Sequence, residues 1–266
     1  MKKILLTVLS AVLFFAACEK ETPLDDPQPK PTGKIVFKFL HHVDGEALAV
    51  DTMKYINQAG NAYEVNEVQW FISNVVLHKD DGTFYRIGEW TRIHYVDIDI
   101  PSTLTWQVFD KIPAGSYTGI SFTFGLDEET NKSFLFVNPP ESFMFWPEVL
   151  GGGYHYLKLN GKWKDPQQAV RFFNFHTGIG QIVSATDTTF VHNHFDVSFN
   201  NSPFTIVDNA TKEIRITMNI ENWFKNPHVY DHNVWGGDIM ENQAAMEVAS
   251  ENGVDVFSLS FDCCNK

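Results

Sequence analysis

Two of the chain's ten histidines stand where their side chains could do chemistry. His155 follows the run Gly151-Gly152-Gly153-Tyr154, and His176 precedes Thr177-Gly178. The alternation of His155, Leu157 and Leu159 predicts a strand in which an imidazole shares a face with apolar side chains. Residues 171–175 predict a second strand that ends on His176. The 20 residues between the two histidines match two antiparallel strands and their connection. If those strands pair, the imidazoles meet at one end of a sheet near Trp146, a geometry that suits a buried soft-metal site. The same spacing describes two core or rim histidines, each satisfied by a backbone carbonyl, and the spacing leaves both readings open.

Other histidines make smaller claims. His42 sits in His42-Val43-Asp44-Gly45, where it can serve as a turn residue bonded to Asp44. On a strand, His192, His194 and Asp196 would share the face opposite Val191, Phe195 and Val197, as a surface chelate or simply a solvated face. His228 and His232 read as loop residues. There is no nucleophile elbow, no His-Glu-x-x-His and no phosphate loop, and no carboxylate pair identifies itself as glycosidic. The expectation is a protein that is not an enzyme.

The elements that must position these residues are short and mostly extended. Alternating or continuous apolar runs predict strands over 34–43, 65–77, 84–87, 93–100, 118–125, 190–199, 213–220 and 254–259, separated by turns such as Asp80-Asp81-Gly82. The 65–77 run reads as a central strand buried on both faces. One helix is expected over 238–251, with Asp238 as N-cap and Gly253 just beyond its end. Closely spaced short strands and 23 phenylalanines indicate a mainly β fold: one antiparallel β-sandwich domain over 34–266, with long loops and one C-terminal helix.

The N-terminal residues belong to targeting. Lys2-Lys3 and the apolar run 4–17 predict a signal peptide over 1–17, too short for a mature membrane span. Phe15-Ala16-Ala17-Cys18 resembles a bacterial lipobox, which implies cleavage before Cys18 and lipidation of its sulfur. Residues 18–33 carry four prolines and almost no apolar side chain, so they read as a tether. The expected localisation is the bacterial cell envelope, lipid-anchored, with the outer membrane favoured and the periplasmic or surface side open.

Net charge is −13, and −15 without Lys2 and Lys3, which excludes binding to nucleic acid by phosphate neutralisation. The adjacent Cys263 and Cys264 cannot staple a long loop, so the domain must be held by its core. They read as part of a frayed tail, with Cu(I) binding or intermolecular pairing as the other uses.

Several segments, in order along the chain, resemble the MbnP-like family of copper-binding proteins. They include His42-Val43-Asp44-Gly45, Tyr55-Ile56-Asn57-Gln58-Ala59-Gly60-Asn61 and Trp70-Phe71-Ile72-Ser73-Asn74-Val75. Pro113-Ala114-Gly115-Ser116-Tyr117, Met144-Phe145-Trp146, Gly153-Tyr154-His155-Tyr156, His176-Thr177-Gly178 and Asn252-Gly253-Val254-Asp255 follow. The resemblance implies a β-sandwich that binds copper, as Cu(I) or Cu(II), through histidines. His155 and His176 occupy matching motif positions, His42 is the third choice, and Met144 lies close by. In some relatives a di-haem peroxidase partner oxidises one tryptophan to kynurenine, which helps bind the metal; Trp146 holds the matching position. The four-cysteine pattern of the best-described branch is absent here.

A rival expectation is a surface glycan-binding lipoprotein in which Trp90, Trp106, Trp163, Trp223 and Trp235 stack on sugar rings. Copper predicts converging histidines, whereas glycan binding predicts a row of solvent-facing aromatics.

Overall fold

The alternation at the start of the domain becomes strand β1, Thr32–Val43, in a computed structural model that describes residues 30–88 and 92–261. The expected signal peptide, Cys18, most of the tether, Trp90, Cys263 and Cys264 lie outside the described residues. In β1, Ile35, Phe37, Phe39 and His41 point into the core, and the intervening residues face outward. The chain from Pro31 onward forms one compact unit.

Two sheets build a β-sandwich. The longest strand, β2 (Ala62–Lys79), runs through a nine-stranded sheet. It pairs antiparallel with β3 (Ile93–Asp97), β4 (Gly115–Phe124) and β5 (Leu157–Lys164). Beyond β5 lies β6, Val170–Thr177, and beyond β4 lies β7, Phe195–Phe199. The second sheet has six strands and centres on β1, β8 (Thr211–Asn219) and β9 (Phe257–Phe261). The pairing of β1 with β8 is parallel, a departure from the otherwise antiparallel ladders.

Aromatic rings fill the space between the sheets. Trp70 of β2 meets the ring of Phe39 edge-on at 5.5 Å and that of Phe257 at 5.3 Å, and its Nε1 donates to Nε2 of buried His41. The outer side of β2 is covered as well. Residues 127–156, the connection between β4 and β5, fold back over it, and Phe136 stacks on Phe71 at 5.4 Å. The continuous apolar run of β2 is therefore buried on both faces, as its sequence predicts.

Three elements differ from expectation for identifiable reasons. The strand expected over 190–199 is two strands, Thr188–His192 and β7, broken at Asn193. The Asn193 amide is buried and bonds Gly178 O and Gln243 instead of continuing a ladder. The helix spans Gln243–Gly253 and is capped by Asn242, whose Oδ1 accepts from Ala245 N. Asp238 is not that cap: it forms a β-bridge with Asn174 of β6 and accepts from Met240 N. A one-turn helix, His232–Trp235, is capped by Asp231.

His232 is fully buried among Phe173 (4.5 Å between centroids), Phe224 and Trp163, and neither ring nitrogen has a hydrogen-bond partner among the described residues. Burial holds His232 and His41 down at about 3, and His94 at about 4, against an ordinary value of 6.5. A lowered folded value means that the unfolded chain binds protons first on acidification, so stability drains away as pH falls below about 6.5. The urea midpoint is expected to drop steadily from pH 7 to pH 4, and His232→Leu is expected to shallow that slope. A midpoint that holds or rises on acidification contradicts this.

Candidate metal centre

Three consecutive glycines make the turn that delivers His155. Gly151, Gly152 and Gly153 have φ of 114°, 70° and 78°, a run in the left-handed region that side-chain-bearing residues do not sustain. Past this turn, residues 153–155 run antiparallel to 144–146. Trp146 N donates to Gly153 O at 2.8 Å, and His155 N donates to Met144 O at 2.7 Å. Side chains stitch the turn to the preceding loop: Asn131 Oδ1 accepts from Tyr154 N, and Ser133 Oγ accepts from Gly153 N. His155 therefore lies just ahead of β5, which starts at Leu157, and not on the strand with Leu157 and Leu159 as its alternation implies.

His176 comes from β6. In the β5–β6 hairpin it stands opposite Lys158, on the face away from Phe173, Phe175 and Thr177, which point into the core. The excursion carrying Met144 and Trp146 closes over this face, and Lys158 Nζ fastens it by donating to Phe143 O at 2.7 Å. The two imidazoles thus meet, with ring centroids 5.0 Å apart and planes at 83°. Trp146, fully buried, forms the adjoining wall with its ring 4.6 Å from that of His155 and its Nε1 donating to Leu150 O.

The electrostatics keep both rings neutral. Burial, then the neighbouring His176, lowers His155 to about 3, and burial, then Lys158, lowers His176 to about 3. Each ring has one nitrogen engaged. His155 Nδ1 lies 2.9 Å from Met144 O, and His176 Nε2 lies 2.7 Å from Asn160 Oδ1. His176 Nδ1 is buried and has no hydrogen-bond partner among the described residues. A buried imidazole nitrogen without a partner is costly unless something binds it, and a neutral ring with its other nitrogen anchored is the usual state of a metal-ligating histidine. The donor set fits a soft or borderline metal ion.

The other sequence candidates fall elsewhere. His42 is on β1 in the six-stranded sheet, half-buried and on the side opposite His41. Met144 is buried, and it meets the pair through its carbonyl oxygen. His192 and His194 do not share one strand face: His192 ends the hairpin strand Thr188–His192 with Nε2 3.7 Å from Glu128, and His194 follows the break. Their rings are 6.4 Å apart, and Asp196 accepts from Thr123. Among the described residues no group of three or more His, Cys, Asp or Glu side chains is arranged to hold a metal. His228 bonds Glu251. Trp106, Trp163 and Trp223 are buried, and Trp235 is half-buried against Tyr230, so they form no solvent-facing row.

Sequence reasoning missed Asn160 and Glu67. Asn160 Nδ2 donates to Glu67 Oε2 across the β5–β2 pairing. Polar residues alternate at Lys158, Asn160 and Lys162, but a solvated strand face reads the same way, so nothing local marks Asn160 or Glu67.

A family model described as MbnP matches residues 32–241. Among solved structures, MbnP from Methylosinus trichosporium aligns with a TM-score of 0.58 and 15% identity, over 86% of this chain and 99% of that one. At that identity the likeness is one of fold. None of the curated proteins compared with the chain matches it.

Trp146 rests directly on Gly178, where an added Cβ would approach its ring to 2.7 Å. Gly178→Ala is expected to push the indole off its seat, lower stability by about 1–3 kcal/mol, and change the near-ultraviolet circular dichroism. An unchanged melting temperature and spectrum would show that the indole does not depend on this contact.

Proposed function

The chain belongs to the MbnP family, and from that premise we propose that it is a copper-binding protein of the bacterial cell envelope, anchored through a lipidated Cys18 and acting in copper acquisition, storage or delivery. The observation that carries this reading is the His155–His176 pair: two neutral imidazoles in perpendicular contact, one with a buried nitrogen that has no partner among the described residues.

Copper is the cargo in this reading. Imidazole binds both of its oxidation states, and a pair of neutral rings, one buried and one half-buried, favours low coordination. A structural zinc site needs four protein donors and a catalytic one needs three, which the described residues do not assemble around this pair. The chain's own residues do the positioning. The Met144 carbonyl orients His155, Asn160 orients His176, and Trp146 excludes solvent from one side. As an indole, Trp146 acts as a wall, since its Nε1–H is committed to Leu150 O.

Protein purified without added metal is expected to bind one copper ion in a competition titration. His176→Ala is expected to weaken binding by more than the ~10–100-fold typical of losing an outer hydrogen-bond partner. Equal stoichiometry and affinity in wild type and variant would remove the pair from the site. For the anchor, Cys18→Ala is expected to move the protein from the membrane fraction to the soluble fraction of the expressing cells, and persistence in the membrane fraction would contradict lipidation there.

A further inference from the structure

We propose that Glu67, acting through Asn160, is a positioning residue that sets the tautomer of His176 and so decides which of its nitrogens is free to bind copper. The role in copper binding rests on the function proposed above. The tautomer assignment rests on hydrogen-bond chemistry alone.

The relay runs inward from the carboxylate. A carboxylate oxygen accepts, and Glu67 Oε2 takes its hydrogen bond from Asn160 Nδ2. That contact fixes which way the Asn160 amide faces, so the atom 2.7 Å from His176 Nε2 is Oδ1, another acceptor. His176 must then carry its proton on Nε2 and its lone pair on Nδ1. Nδ1 is the nitrogen that is buried without a partner. An amide turned the other way would present Nδ2 to His176, force the proton onto Nδ1 and leave no donor lone pair there.

The sheet supplies the alignment. Glu67 on β2 and Asn160 on β5 are direct cross-strand partners, and His176 on β6 lies diagonally beyond. The relay therefore crosses three adjacent strands from the carboxylate to the ring. His155 is oriented separately, by the Met144 carbonyl, which accepts from Nδ1 and leaves the lone pair on Nε2. One histidine is held by the excursion and the other by the sheet, so a change to Glu67 should alter His176 and leave His155 alone.

The test reads imidazole nitrogen shifts by NMR in metal-free, 15N-labelled protein, together with copper affinity by competition. In wild type, His176 is expected as the Nε2–H form and His155 as the Nδ1–H form. Glu67→Leu frees the amide, and Asn160→Leu removes the acceptor. Each is expected to shift His176 toward a tautomer mixture and weaken copper binding by about 10–100-fold. Glu67→Gln, which can still accept, is expected to keep the wild-type tautomer. The double variant Glu67→Gln/Asn160→Asp reverses donor and acceptor between the two positions while still offering His176 an acceptor, and is expected to keep it too. Unchanged His155 shifts report that each variant is folded. A His176 that stays Nε2–H in both leucine variants overturns the relay. If the tautomer responds as described while wild type takes up no copper, the relay stands and the copper reading falls.

Discussion

His176 and the residues that support it depend on the β-sheet register. The β5–β6 hairpin places His176 opposite Lys158, and the β2–β5 pairing places Asn160 opposite Glu67. A one-residue slip in either ladder would turn His176 or Asn160 to the other face of the sheet and dissolve the arrangement. The excursion over the outer face of β2 depends on the same register, because Lys158 fastens it at Phe143 and Phe71 receives Phe136 and Tyr154. The metal candidate is thus a property of how three strands are aligned, more than of any loop on its own.

Burial makes this arrangement consequential. His155 is buried and His176 half-buried, which disfavours the charged form of each ring and leaves neutral nitrogens in a low-dielectric setting. A protein that needed these residues only for packing would be served by apolar rings, as it is at Phe173 and Phe175 one face away. His232 shows the contrast: it too is buried with unpartnered nitrogens, but it is enclosed by aromatic rings on several sides and has no second histidine in contact. The pair of His155 and His176 differs in that each ring has one nitrogen tied to an acceptor.

Much of the fold was legible in the amino-acid pattern. The period-two alternation of β1 and the long apolar run of β2 gave the strands their place, and the spacing between the histidines matches the hairpin that joins them. What failed were features set by partners distant in sequence. Asn193 breaks an otherwise good strand because its buried amide has partners at Gly178 and Gln243. Asp238 loses the cap role to Asn242 because it is engaged with β6. His155 looked like a strand residue, but the three left-handed glycines before it delay the strand to Leu157 and hand its orientation to the Met144 carbonyl. His42, the third choice as a donor, stands on β1 of the six-stranded sheet, whereas His176 stands on β6 of the nine-stranded one. Asn160 and Glu67 carried no local signature, for polar side chains on a strand face say nothing of what lies across the ladder.

The central claim is that two imidazoles, one from the turn ahead of β5 and one from β6, bind the same copper ion. X-ray absorption at the copper edge of protein loaded with one equivalent addresses it most directly. The account predicts a first shell dominated by nitrogen, with the outer multiple-scattering pattern of two imidazole rings that falls to one in His155→Ala. A shell dominated by sulfur, or one without imidazole scattering, would contradict it.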